Sequence, residues 1–207
     1  MQAERVALIT SAHQEMGLQI ARELAADNFT VLLGSRDFAR AQETARTIHG
    51  DARALQLDVT DLASIAAAAV RIRRELGRLD VLVDNAALSP TGTASADELR
   101  TLFETNVFGV LAVTKVMLPL LRAAPAGRIV HLPSGADADT RTVLEVLYPA
   151  SQAALDAAML AVNLELESTG IAVHTGPETL EEGALDAVCL ALGATGTPPP
   201  APPGRTP

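Results

Sequence analysis

Short apolar segments recur along the chain, and each is followed by a segment whose apolar residues repeat with helical spacing. The strand-like segments are 5–11, 29–35, 53–60, 79–88, 127–135 and 170–176. Most are apolar at consecutive positions, which is typical of parallel strands that are buried on both faces of a sheet. Right-handed strand–helix–strand crossovers then give an α/β fold of the Rossmann type: a doubly wound parallel sheet with helices on both faces, shortened at its C-terminal end.

The strand–helix alternation continues to about residue 193, which predicts a single domain over 1–193. Two long helices are expected at 95–124 and 148–169, Asp61 is expected to be an N-cap, and Gly50 is expected to end a helix. The remaining segment, 194–207, is rich in proline, and we expect a disordered, solvated tail.

Composition excludes several functional classes. The net charge is −9 without any basic run, which argues against a nucleic-acid or anionic-membrane surface. No continuous apolar run has the length of a membrane span, and the N-terminus lacks the layout of a signal peptide, so we expect a cytoplasmic protein. Cys189 is the single cysteine and cannot form an intrachain disulfide. No pair of potential ligands has metal-site spacing on one helix face.

In a doubly wound sheet, ligands bind beyond the carboxyl ends of the strands. The segments predicted to lie there are 10–17, 35–36, 58–59, 84–87 and 133–135. With LDVTD (57–61), LDVLVDNAA (79–87), NVFGV (106–110), GRIVHLPSG (127–135) and YPAS (148–151) in this order and spacing, the chain resembles the short-chain dehydrogenase/reductase superfamily, most closely its carbonyl-reductase branch. The resemblance covers about 4–193 and implies an NADP-dependent enzyme acting on a small carbonyl compound.

The resemblance also implies a catalytic tetrad. Asn106 matches the asparagine that holds a proton-relay water, and Ser134 matches the serine that hydrogen-bonds the substrate carbonyl. Tyr148 matches the tyrosine that exchanges the substrate proton. The fourth member is a lysine in the family, but position 152 of this chain is Gln152.

The missing lysine has an electrostatic cost. A positive unit charge about 4 Å from a tyrosine phenolate stabilises it by roughly 4 kcal/mol at an effective dielectric of about 20. Without that charge we expect the Tyr148 phenol to stay protonated at neutral pH. A neutral phenol can protonate an alkoxide, but it is a poor general base for oxidising an alcohol.

The glycine-rich turn also departs from the family pattern TGxxxGxG, since this chain has TSAHQEMG at 10–17. Ser11 replaces the first glycine, Glu15 replaces the second, and Gly17 is kept. A glutamate adds bulk and negative charge where the pyrophosphate is expected, unless its side chain points to solvent and favours the helix N-terminus. Ala87 and Asp84 are further departures, in place of a glycine and an asparagine of the family NNAG motif.

Other cofactor positions are retained. Arg36 matches the residue that pairs with the 2′-phosphate of NADP, although a surface arginine is an equally good interpretation. Asp58 and Val59 match the adenine-side contact, and Asn85 matches the second asparagine of the strand-four motif. We therefore expect NADP binding to be weak or lost, and we expect no metal.

Three function classes remain open. The residues that differ from the family pattern lie at positions expected to contact the dinucleotide, while the residues expected to contact the substrate are kept. This distribution favours non-redox chemistry (cyclisation, dehydration or isomerisation) in which Ser134 and Tyr148 polarise an oxygen. The first alternative is an NADP(H)-dependent carbonyl reductase with a weakened site, and the second is a non-catalytic binding subunit. His13 and His131 are candidates for new roles, although ordinary polar residues are the better interpretation of both. We expect a small-molecule substrate, no nucleic-acid or membrane partner, and a monomer or homodimer.

Overall fold

The computed structural model describes residues 5–12, 15–85, 95–132, 143–175 and 188–193, and the structural statements below refer to those residues. Six parallel strands form one sheet in the order β3-β2-β1-β4-β5-β6. The strands are β1 (Arg5–Thr10), β2 (Phe29–Ser35), β3 (Ala52–Gln56), β4 (Val81–Asp84), β5 (Arg128–His131) and β6 (Ala172–Thr175). The predicted doubly wound sheet is confirmed, with its switch point between β1 and β4.

Six helices connect the strands or follow them. They are α1 (Glu15–Ala26), α2 (Phe38–Arg46), α3 (Leu62–Glu75), α4 (Ala96–Phe103), α5 (Val110–Leu121) and α6 (Val143–Leu166). Residues 188–192 are also helical. Asp61 is the N-cap of α3, as predicted, because its carboxylate accepts a hydrogen bond from the Ala63 backbone N–H at 2.9 Å.

The core consists of two apolar layers, one on each face of the sheet. The first layer packs α3, α5 and α6 against residues such as Leu8, Leu82 and Ile129. The second packs α1, α2 and the 188–192 helix against Ile9, Val83 and Val130. Consecutive strand residues therefore point into different layers, which explains why the strands are apolar without alternation.

Several predicted boundaries are wrong. The third strand ends at Gln56 and the fourth at Asp84, so both are shorter than their apolar runs. Helix α2 ends at Arg46 with Thr47 as its C-cap, so Gly50 lies in the loop beyond it. Helix α6 begins at Val143, five residues before the predicted start, and contains Pro149. The tail at 194–207 lies outside the described residues.

The predicted helix at 95–124 is divided into three pieces. Between α4 and α5, Glu104–Gly109 form a π-helical segment in which each turn carries an extra residue. The whole run Ala96–Leu121 has a mean hydropathy of 1.3 over 18 residues and passes a length-and-composition test for a membrane span, but half of that window is buried inside the protein. Since Val113, Met117 and Leu120 pack in the first core layer, the run is a core helix of this fold.

Candidate active site

The turn after β1 has a strained backbone at the first position of the glycine pattern. Ser11 has a φ of 50°, in the left-handed region that glycine adopts without penalty. For a residue with a Cβ this conformation costs about 1–2 kcal/mol. The turn therefore keeps the shape that the family glycine produces, and the serine at this position carries a conformational cost.

Asn85 holds this turn against the end of β4. Its side-chain amide donates to the backbone oxygens of Thr10 and Ser11 at 3.3 and 3.2 Å, and its backbone N–H donates to Thr10 Oγ1 at 2.9 Å. Gly17 permits this packing, since a Cβ added there would lie 2.6 Å from Asn85 Nδ2. Asn85, predicted to bind the cofactor, thus shapes the turn after β1, which we call the cofactor turn.

The ends of β2 and β3 carry the other predicted dinucleotide contacts. Arg36 is exposed directly after β2, and among the described residues its guanidinium has no hydrogen-bond or ion-pair partner. Its backbone oxygen accepts from Gln56 Nε2 at 2.9 Å, which fixes the chain at this point. Asp58 is engaged locally, because its Oδ1 accepts from the backbone N–H and the hydroxyl of Thr60 at 2.9 and 2.7 Å.

The π-helical segment brings Asn106 to α6. Asn106 is fully buried, and its Nδ2 donates to Ser151 Oγ at 3.3 Å. The Ser151 hydroxyl in turn donates to the backbone oxygen of Tyr148 at 2.8 Å. Ser151 was not predicted as a site residue, although it is the last residue of the YPAS motif. It connects Asn106 with the backbone of Tyr148, and both are residues of the predicted tetrad.

Close packing against the turn after β3 positions the π-helical segment. A Cβ added to Gly109 would lie 2.8 Å from the Val59 backbone oxygen and 3.0 Å from its Cγ2. Only a glycine therefore allows the segment to approach the turn after β3. Val59, predicted as an adenine-side contact, supports Asn106 through this packing.

Tyr148 and Gln152 lie one turn apart on α6 and are both buried, with 5% and 9% exposure. The Gln152 Oε1 atom is buried without a hydrogen-bond partner among the described residues. Such an unsatisfied acceptor costs about 1–3 kcal/mol. The amide that stands at the position of the family lysine thus has an acceptor atom that no described residue satisfies.

Two titratable side chains lie beneath this region. Asp84 and His131 are paired in register at the carboxyl ends of β4 and β5, with 1% and 3% exposure. Burial raises the pKa of the Asp84 carboxyl to about 7, against a smaller opposing effect of the Thr114 hydroxyl, which donates to its Oδ2 at 3.3 Å. Burial lowers the pKa of His131, while Asp156, 3.8 Å away, opposes that shift.

Some predicted residues cannot be placed. Ser134, His13 and Ala87 lie outside the described residues. Glu15 is the first residue of α1, but its side chain is not described, so its position relative to a pyrophosphate stays a prediction. Within the described ranges, no three His, Cys, Asp or Glu side chains are grouped as metal ligands.

The described residues fit a dinucleotide in three respects. The turn at Ser11 retains the glycine-like backbone, Arg36 presents a cation without a partner in the described chain, and Gln152 presents an unsatisfied acceptor. All three belong to segments at the carboxyl edge of the sheet, where this fold binds its ligands.

Comparison with known proteins agrees with this geometry. A family model described as short chain dehydrogenase matches residues 5–176. Galactitol 2-dehydrogenase of Agrobacterium fabrum is 34% identical over 174 residues, which cover 82% of this chain and 68% of that protein. The NADPH carbonyl reductase 1 of Sus scrofa is 39% identical over 142 residues, or 63% of this chain and 47% of that protein. The chain thus spans about half to two thirds of the length of these relatives.

A solved structure extends the similarity over most of the chain. The crystal structure of a metagenomic short-chain oxidoreductase in complex with NADP superimposes with a TM-score of 0.81 at 26% identity, and the match covers 92% of each chain. The match of the family model over 5–176 and the identity to the Agrobacterium enzyme show the family directly. The chain belongs to the short-chain dehydrogenase/reductase family.

Proposed function

We propose that this chain is an NADP(H)-dependent short-chain carbonyl reductase with a weakened cofactor site. The observation that carries the proposal is Gln152 Oε1, which has no hydrogen-bond partner among the described residues and lies one helical turn from Tyr148, at the position where the family places its ribose-binding lysine. A ribose hydroxyl would satisfy this acceptor. The NADP complex of the similar metagenomic oxidoreductase supports the same cofactor.

Three residues of the described chain are proposed to hold the dinucleotide. Arg36 would pair with the 2′-phosphate, because its guanidinium is exposed and has no other partner in the described chain. The turn at Ser11, tied to β4 by Asn85, would present backbone N–H groups to the pyrophosphate. Gln152 would bind the nicotinamide ribose without a charge, so we expect weaker binding than a lysine would give.

When bound, NADPH supplies the hydride that reduces the carbonyl carbon. The Tyr148 phenol donates its proton to the carbonyl oxygen as negative charge develops there, and Ser134 is proposed to hydrogen-bond the same oxygen. Asn106 and Ser151 hold the first turns of α6 in place through their hydrogen bonds. Because no lysine stands beside the phenol, reduction is favoured over alcohol oxidation, which requires a phenolate base.

The relatives favour this function over the non-redox chemistry that the departures suggested. Both relatives described above are a dehydrogenase or a reductase, and neither name supports cyclisation, dehydration or isomerisation. The substrate is proposed to be a small ketone or aldehyde.

The second copy of the chain is the partner that we propose. Leu160 and Leu164 lie one turn apart on the outer face of α6 and are each 61% exposed. Burying such a pair against its copy would remove apolar surface from water. We therefore propose a homodimer through α6 rather than a monomer. The single cysteine, Cys189, cannot form an intrachain disulfide, which supports the proposed cytoplasmic location.

An assay of carbonyl reduction tests the proposed function. Purified protein is incubated with NADPH and a panel of small ketones, aldehydes and β-keto thioesters, and loss of NADPH absorbance is followed. We expect turnover that the Tyr148→Phe variant lowers at least about a hundredfold, the usual size of an acid–base contribution. Substrate conversion without NADPH, equal in both proteins, would refute the reductase proposal.

A further inference from the structure

A cavity of about 700 Å³ lies at the amino-terminal edge of the sheet, opposite to the candidate active site. Its walls come from the starts of four neighbouring strands, β2, β1, β4 and β5, and from the end of the 188–192 helix. Small-molecule sites typically have volumes of about 300–1,000 Å³. Because ligands of this fold bind beyond the carboxyl ends of the strands, neither NADPH nor its substrate accounts for this cavity.

Four of the five charged side chains in the lining form two ion pairs. Arg5 Nη2 donates to Asp27 Oδ2 at 2.6 Å, and Arg78 Nε donates to Asp80 Oδ2 at 3.0 Å. Asp80 Oδ2 also accepts from the backbone N–H of Val6 at 2.8 Å, which fixes this carboxylate at the start of β1. Each carboxylate in the lining is thus neutralised by an arginine of the same cavity.

Arg128, the fifth charged residue of the lining, is partly buried at the first position of β5. Its guanidinium has no hydrogen-bond or ion-pair partner among the described residues. Three guanidinium groups against two carboxylates leave the lining with a net charge of +1, in a chain whose net charge is −9. The nearby His174 imidazole adds no charge at neutral pH, because burial and the Arg128 cation both lower its pKa.

The end of the 188–192 helix explains the position of Arg128 only in part. A Cβ added to Gly193 would lie 2.5 Å from Arg128 Nη2, so the glycine leaves room for the guanidinium. The carbonyl groups at a helix C-terminus favour a nearby cation. None of them accepts a hydrogen bond from Arg128 within the described chain, however, so its N–H donors stay available to a ligand.

We propose that this cavity is a second ligand site, which binds a small organic carboxylate through Arg128. A guanidinium holds a carboxylate by two parallel hydrogen bonds, and one carboxylate brings the net charge of the lining to zero. A dianionic phosphate would instead leave excess negative charge beside Asp27 and Asp80. Apolar residues of the same lining, among them Phe29, Pro125 and Leu192, would contact a short hydrocarbon body.

Titration of the full chain with sodium hexanoate, followed by backbone amide NMR, tests the site. We expect saturable shifts of the Ala126 and Leu192 amides at low millimolar hexanoate, and much weaker shifts with hexanol, which has no charge. Absence of saturable shifts at these two residues, or equal shifts with hexanol, overturns the proposal. Saturable shifts confined to Asn85 and Gln152 would place hexanoate in the candidate active site and overturn it too. The result is independent of the proposed reductase activity, because no turnover is measured.

Replacement of Arg128 provides the second readout. We expect Arg128→Gln to raise the Kd for hexanoate at least about tenfold, the effect of losing hydrogen bonds to a charged group. Arg22→Gln is the matched control, since Arg22 is exposed on α1 and does not line the cavity. Equal hexanoate affinity in these two variants contradicts the assignment of Arg128.

A second pair of variants keeps the test decisive if Arg128→Gln does not fold. Ala126 is an exposed residue of the lining, so a larger side chain is accommodated there. Ala126→Glu places a carboxylate in the cavity, where it competes with hexanoate for the guanidinium, whereas Ala126→Gln has the same length without the charge. We expect hexanoate to shift the Leu192 amide at lower concentration in Ala126→Gln than in Ala126→Glu. Identical titration curves for the two variants would show that charge does not govern binding.

Discussion

Replacing Gln152 by lysine tests how far the missing cation limits the site. Gln152 and Tyr148 are four residues apart on α6, which places their Cβ atoms about 5–6 Å apart. At about 6 Å and an effective dielectric of about 20, a unit charge is worth roughly 3 kcal/mol to a phenolate. That energy corresponds to about two pH units in the ionisation of the phenol.

Burial reduces this effect without cancelling it. The side chain at position 152 is only 9% exposed, so a lysine there loses hydration and its charged form is disfavoured. We therefore expect Gln152→Lys to lower the pH at which the phenol ionises by about one to two units. Because oxidation requires the phenolate, kcat/KM for alcohol oxidation at neutral pH should rise by about tenfold to a hundredfold. The kcat/KM for carbonyl reduction should rise mainly because the variant binds NADPH more tightly.

The assay is the pH dependence of NADP⁺-dependent alcohol oxidation. Gln152→Met is the matched control, because it has a similar length and burial without a charge. We expect the pH at which half-maximal oxidation occurs to fall in Gln152→Lys and to stay unchanged in Gln152→Met. Identical pH profiles in the two variants would refute the electrostatic reasoning.

Three further predictions follow from described residues. Ser11→Gly should raise the free energy of unfolding by about 1 kcal/mol and tighten NADPH binding. Asn28→Gly, at another left-handed position (φ 62°), is the control and should leave NADPH binding unchanged. Thermal melts measure the stability of each variant, and NADPH titrations measure its cofactor affinity. The pKa of Asp84 is about 7 in the folded protein, against 3.8 when unfolded, so the folded state holds this proton more tightly. The resulting stabilisation is fully present below about pH 3.8, and about 4 kcal/mol of it is lost as the pH rises through 7. Denaturant unfolding at several pH values measures this loss, which Asp84→Asn should abolish. The lowered pKa of His131 acts in the opposite sense, so its contribution is present above about pH 6.5 and lost as the pH falls. Leu160→Glu with Leu164→Glu should convert a dimer to a monomer by light scattering, and an unchanged mass would contradict dimerisation through α6.

The sheet could be predicted because its signal is local. Each strand is a run of residues such as Ala7–Ile9 that are buried on both faces, and each helix repeats its apolar positions with the helical period. Caps are local too, which is why Asp61 was placed correctly. Strand ends were less accurate, since the run at 53–60 stays partly apolar after the backbone has left the sheet at Gln56.

The division of the long helix could not be read from the sequence. The π-helical segment depends on Gly109 packing against the Val59 backbone and on Asn106 reaching Ser151, and both contacts join residues distant along the chain. Helical periodicity contains no information about such contacts.

Motif resemblance identified positions but not all of their roles. Ser151 links Asn106 to the backbone oxygen of Tyr148, and the tetrad roles of these residues stay predictions. Asn85 binds the backbone of the turn after β1, and Asp58 binds Thr60. The register that sets the Cα of Asp84 opposite that of His131 was not predicted, because strand register becomes known only when β4 and β5 are placed side by side.

Titration of the protein with NADPH, followed by the fluorescence of the bound cofactor, tests the central claim most directly. We predict saturable binding with one NADPH per chain and a Kd below about 1 mM, the upper end of ordinary KM values. Arg36→Gln should weaken NADPH binding more than NADH binding, because only NADPH carries the 2′-phosphate. Absence of saturable binding in this range, by a protein that is folded, would contradict the account.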